Sequence, residues 1–180
     1  FLKRLEKNGY ADICISVNQS RILFYKADYL NEIQRIIHKY HCDPSRIILE
    51  VTEGITMDNL DEMKVLVREL HKMGFAVSMD DFGSGYSSLN ILKELDIDEL
   101  KLDRVFLSDT AEKEKRDIIM KNIITLAREL QITTVTEGVE DATQAEFIHS
   151  IHCDIGQGYY FAKPMPEDAF ELFIAGKTEE

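Results

Sequence analysis

Two rhythms of apolar residues alternate along the chain. Short runs rich in β-branched side chains read as strands: ICISVN (13–18), IILEVTE (47–53), AVSMDDF (76–82), ELKLDRVF (99–106), TTVTEGV (133–139) and IGQGYYF (155–161). Between them apolar positions return every three or four residues. This spacing predicts helices over 28–40, 58–73, 112–130 and 143–151, a shorter one after Ser87 and a last one after Pro166. In FLKRLEKNGY, Phe1, Leu2 and Leu5 have helical spacing and Gly9 suits a helix C-terminus, but no N-cap residue precedes them. That start predicts a chain beginning inside a helix of something longer.

Strands that alternate with helices predict parallel β/α units rather than a sandwich or a bundle. No Gly-, Ser- or Pro-rich linker interrupts them, so residues 1–180 read as a single domain. Both an open doubly wound sheet and a (β/α)8 TIM-type barrel fit the alternation. The barrel is favoured because polar residues stand at the C-terminal ends of nearly all the strands, where barrels build their sites. About six units are present, so the barrel is expected to be incomplete here, with about two further units on the N-terminal side.

Composition narrows the function. The 180 residues are 44% hydrophobic and 9% aromatic, ordinary for a globular protein. Thirty-three acidic against 21 basic side chains give a formal charge of −12, which argues against duplex nucleic acid as a partner. A small anion could bind if cations neutralise it locally. Cys14, Cys42 and Cys153 are widely spaced and lack C-x-x-C spacing, which suggests neither a disulfide framework nor a zinc site. No apolar run approaches the ~20 residues of a membrane span, and no signal-peptide pattern opens the chain. A cytoplasmic location is expected, with any anchor left to a preceding region.

The strand ends carry the candidate chemistry: Asn18; Glu50 and Glu53; Asp80 and Asp81; Lys101 and Asp103; Glu137 and Glu140; Gln157. Any one acidic residue there also reads as a solvated loop or a cap. Six units in succession contributing oxygen ligands or a lysine argue for a shared rim. Side chains two apart share a strand face, so Lys101 goes with Asp103 and Glu50 with Thr52, while Asp80 and Asp81 point apart unless the chain turns. Gly83 and Gly85 would permit that turn. The five histidines fall in helical stretches or their caps, so the donors are oxygens, suited to Mg²⁺ or Mn²⁺ rather than zinc. Two such ions about 4 Å apart can clamp a phosphoryl displacement and activate water. Lys101 either forms a salt bridge with Asp103 or Glu137, or orients water and steadies charge on a transferring phosphate.

On these residues the sequence resembles the EAL family of bacterial cyclic di-GMP phosphodiesterases. SVNQS is similar to the family's asparagine strand, LEVTEG to its L-E-(I/V)-T-E segment, and MDDFGSGYSSL to its D-D-F-G-(T/S)-G-Y-S-S-L segment. LKLDRVF, TEGVE and DIGQGYYFAKPMP are similar to K-I-D-R-x-F, E-G-V-E and Q-G-Y-x-F-(S/A)-K-P. The resemblance implies a TIM-type barrel that hydrolyses cyclic di-GMP to linear pGpG with two Mg²⁺ or Mn²⁺ ions, Ca²⁺ being inhibitory. Asn18, Glu50 and Asp80 would hold one ion, and Asp80 would bridge to a second held by Asp81 and Glu137. The catalytic set would be Lys101, Glu137 and Asp81, with Lys101 at the catalytic water. Asp103 and Gln157 would support the site, and Glu53 would anchor the loop after Asp81. No substrate-binding residue is assigned. A homodimer, and sensory or GGDEF-type domains in a longer protein, are further implications.

Two departures from the family pattern stand out. Gly54 replaces the usual serine, and the name-giving E-A-L glutamate is not in this sequence. A catalytically inactive receptor or interaction module is the alternative function. An enolase-like barrel would also explain the strand ends, but neither the 79–89 segment nor Gln157.

Overall fold

The structure, a computed structural model, describes residues 1–20, 23, 26–52, 54, 60–83, 88–108 and 113–176. Its strands are β1 (Ile15–Asn18), β2 (Ile47–Thr52), β3 (Ala76–Phe82), β4 (Glu99–Leu102), β5 (Thr133–Thr136) and β6 (Ile155–Gly156). The helices among the described residues are α1 (Leu2–Lys7), α2 (Tyr29–Tyr40), α3 (Leu60–Lys72), α4 (Ser88–Glu94), α5 (Lys113–Glu129), α6 (Ala142–Ser150) and α7 (Glu167–Ile174). Short 3₁₀ turns occupy Pro44–Arg46 and Arg104–Leu107.

The strands form one sheet in the order β1-β2-β3-β4-β5-β6, every neighbouring pair parallel. Spatial order equal to chain order, with no reversal, is the winding of a barrel and not of a doubly wound sheet. The first and last helices meet. Arg4 on α1 pairs with Glu167, Asp168 and Glu171 of α7, and the Phe1 and Phe170 rings pack edge to face at 6.0 Å. The sheet is thus a curled, incomplete (β/α) barrel.

Period-2 alternation sorts the side chains. Leu49, Val51, Val77, Met79, Leu100 and Leu102 face the helices and pack with Met63, Val67, Leu70, Met120 and Ile124. On the opposite face lie Glu50, Ser78, Asp80, Glu99 and Lys101, all buried. The apolar core therefore sits between sheet and helices, and the concave face is charged.

β1 begins two residues later than the sequence pattern predicts, and three strands end earlier. β4 stops at Leu102 because Asp103 turns to cap the 3₁₀ segment, its carboxylate accepting the Val105 N–H at 2.7 Å. β5 ends at Thr136, before Gly138 at φ +70°. β6 keeps only two residues, and the chain then folds back against Val139, whose carbonyl accepts the Tyr160 N–H at 3.0 Å. Helix boundaries agree within a residue or two wherever they are described.

Candidate metal centre

The site is built where β2, β3, β4 and β5 end. The sequence places two aspartates in succession on β3, which regular pleating would send to opposite faces. Asp81 instead adopts φ +58°, and the β3–β4 register shifts between Met79 and Phe82. The left-handed region tolerates aspartate better than most residues, and the Asp81 N–H donates to Asp80 Oδ1 at 3.0 Å. The turn is therefore made at Asp81 itself, with Gly83 following at φ +96°, while Gly85 lies outside the described residues.

The consequence is convergence. Asp80, Asp81 and Glu137 each offer a carboxylate oxygen, and these oxygens lie within 4.8 Å of one another. Burial, then the neighbouring charges of Asp80 and Asp103, pushes the Asp81 carboxyl up from its ordinary value. Crowded carboxylates of this kind are a site that a hard cation relieves.

Lys101 threads the group together. Its Nζ lies 2.9 Å from Glu50 Oε1, 3.1 Å from Asp80 Oδ1 and 2.6 Å from Glu137 Oε1, and its side chain is 6% exposed. Burial favours a neutral amine, but the bonds to Glu137 and Glu50 outweigh it and hold the pKa above the usual lysine value. Lys101 is thus fixed as a cation facing three strand ends. Of the two salt-bridge partners expected for it, Glu137 is observed and Asp103 is not, because Asp103 is engaged as a cap.

The other predicted residues divide. Asn18 is the register partner of Glu50, and the Gln19 N–H bonds the Glu50 carbonyl at 2.9 Å, so Asn18 stands at the same rim but exposed. Gln157 is held by its backbone, its N–H on the Thr136 carbonyl at 2.8 Å. With Asp103, Arg104, Glu137, Gly138, Glu140 and Tyr159 it lines a cleft of about 340 Å³. The exposed Glu140 uses its N–H on Gln144 Oε1 at 2.7 Å. Glu53, and residues 84–87 of the loop it was expected to anchor, lie outside the described residues. Gly54 is described and has open space around it.

Glu99 was not singled out in the sequence. It is a buried carboxylate two residues before Lys101 on the same strand face. An acidic residue opening a strand reads as exposed, and only the alternation of β4 could have marked it.

A parallel (β/α) sheet with an all-oxygen acidic group at its strand ends defines a barrel domain with a candidate metal site. The chain belongs to the EAL family: the EAL domain model matches residues 1–164. It is 39% identical over 167 residues to the bifunctional diguanylate cyclase/cyclic di-GMP phosphodiesterase MucR of Pseudomonas aeruginosa, covering 93% of this chain and 24% of that protein. To the signaling protein YkoW of Bacillus subtilis it is 37% identical over 166 residues, covering 92% of this chain and 21% of that one. The chain thus spans under a quarter of these relatives. Among solved structures, the MucR phosphodiesterase in complex with c-di-GMP superposes with a TM-score of 0.86 at 38% identity, covering 94% of this chain and 69% of that one. The EAL domain of Mycobacterium smegmatis DcpA gives 0.90 at 27% identity, covering 99% and 81%.

Proposed function

We propose that this chain carries the metal-dependent site of a cyclic di-GMP phosphodiesterase, which opens the cyclic dinucleotide to linear pGpG. The observation that carries the reading is the convergence of Asp80, Asp81 and Glu137, with the buried Lys101 ammonium paired to Asp80 and Glu137. The names of relatives such as MucR supply the substrate.

The donor set fits Mg²⁺ or Mn²⁺, being oxygen throughout. Asn18, Glu50 and Asp80 would hold one ion, and Asp80, Asp81 and Glu137 a second. Bound there, the ions would neutralise the phosphodiester and lower the pKa of the attacking water. The reaction consumes one water: its oxygen joins phosphorus, one P–O(ribose) bond breaks, and the leaving oxygen takes a proton.

The chain's own residues position and stabilise. The carboxylates collect cations on a molecule of net charge −12, turning a surface that repels anions into one that accepts a phosphate. Lys101, buried and charged, orients the water and steadies negative charge on the phosphoryl oxygens. Gln157 and Asp103 support the site from the cleft beside Glu137, and Glu53 would anchor the loop after Asp81. Ca²⁺ would fail to support turnover, because it prefers longer bonds and higher coordination. The same reading carries a cytoplasmic location, a homodimer and sensory or GGDEF-type domains in the longer protein.

The test is incubation of the chain with cyclic di-GMP and Mn²⁺, Mg²⁺ or Ca²⁺, with the linear product followed by chromatography. Product with Mn²⁺ and Mg²⁺ but not Ca²⁺ is expected. Equal rates with Ca²⁺ overturn the two-metal reading, and binding of cyclic di-GMP without turnover under any ion supports the inactive receptor.

A further inference from the structure

Every anion that Lys101 touches is a proposed metal ligand: Glu50, Asp80 and Glu137. A carboxylate that shares its charge with a metal ion keeps a second oxygen for the ammonium, but holds it less strongly. A lysine only 5% exposed cannot turn to solvent instead, and a buried charge stripped of its partner is strongly destabilising. Lys101 therefore gains from a second counter-ion whenever the centre is loaded.

The concave face supplies one. Glu99 precedes Lys101 by two residues on β4, which puts both side chains on the same face about 6.6 Å apart along the strand. It is 7% exposed, and it takes no part in the ion pairs at Lys101. Of the buried carboxylates among the described residues, which are Glu50, Asp80 and Glu99, it alone stands outside the proposed ligand set. Its register partner on β3 is the wholly buried Ser78. Asp103, the other acidic residue on this strand's course, is committed to the Val105 N–H.

We infer that Glu99 is a positioning residue that takes over as counter-ion of Lys101 when cations occupy the Asp80–Asp81–Glu137 group. The inference rests on the two-metal reading. Glu99 touches neither substrate nor metal. It acts through Lys101, holding the ammonium in place while its other partners turn to the cations. Burial pushes the Glu99 carboxyl up, while a hydrogen bond from Ser78 and then the Lys101 charge pull it the other way.

The experiment is Mn²⁺ titration by calorimetry of wild type, Glu99→Gln, Glu99→Asp, Lys101→Met and the Glu99→Gln/Lys101→Met double variant. Glu99→Gln should bind Mn²⁺ about tenfold more weakly, because Lys101 then keeps its hold on Glu50, Asp80 and Glu137. Glu99→Asp should recover most of the loss, and in the Lys101→Met background Glu99→Gln should change nothing. Turnover of Glu99→Gln should fall in kcat with KM unchanged. Equal Mn²⁺ affinity of Glu99→Gln and wild type overturns the inference, as does equal weakening in both backgrounds or an equal loss in the Asp and Gln variants. Those results leave the metal reading standing, whereas failure of the wild type to bind Mn²⁺ overturns both.

Discussion

Lys101 Nζ on β4 lies 2.6 Å from Glu137 Oε1 just beyond β5, and the same ammonium also reaches Glu50 and Asp80. One internal cation thus ties together carboxylates from three other strand ends. It neutralises them, and it competes with any metal for them.

Replacing Lys101 with methionine separates these effects. Turnover should fall by roughly 10²-fold or more, the scale for removing one electrostatic contributor at a developing charge. Mn²⁺ affinity should stay equal or tighten, since a competitor is gone. In chelator the variant should melt earlier than wild type, and saturating Mn²⁺ should close the gap by mass action. Steady-state kinetics with thermal melts check all three, and normal turnover would reduce Lys101 to a structural partner of its acidic neighbours.

The pH dependence follows from Glu99. Its folded pKa lies above the ordinary value because burial disfavours the anion. The native state therefore holds this proton more tightly than the unfolded chain does. The stabilisation is complete below about pH 4 and is lost as pH rises through the folded pKa. Glutamine mimics the protonated form, so in chelator Glu99→Gln should match wild type near pH 4 and gain on it towards pH 7. Urea midpoints across that range decide it, and a variant that loses ground as pH rises would contradict the assignment.

Gly158→Ala should damage the site from outside it. A Cβ at Gly158 would sit 2.2 Å from the Val139 carbonyl oxygen and 2.3 Å from its nitrogen, backbone that cannot swing aside. Val139 follows Glu137 by two residues, so the displacement reaches the metal group. A loss of about 1–3 kcal/mol in stability is expected, with weaker Mn²⁺ binding. Denaturant titration and calorimetry measure both, and an unchanged variant would show that the close approach is not enforced.

The six strands, their parallel winding and the acidic rim were legible because period-2 apolar runs and residue type carry them. Glu50, Asp80, Asp81, Lys101 and Glu137 could be placed at strand ends from the sequence for that reason. The details that decide chemistry were set by backbone and packing instead. Nothing in MDDFG says that Asp81, rather than a glycine, makes the turn. Asp103 shares alternation with Lys101, but capping a turn is a local preference that overrides strand continuation, so the expected pairing is lost. Glu99 escaped notice because burial of a strand's first residue depends on neighbours distant in sequence.

The most direct test of the metal centre is a calorimetric Mn²⁺ titration of wild type against Asp80→Asn. Asp80 belongs to the convergent group and is proposed as the ligand shared by both ions. Its amide analogue keeps the shape but loses the charge, and should lower Mn²⁺ affinity by about 100-fold or more, beyond the 10- to 100-fold typical of outer-sphere partners. Unchanged affinity and stoichiometry in Asp80→Asn would contradict the account.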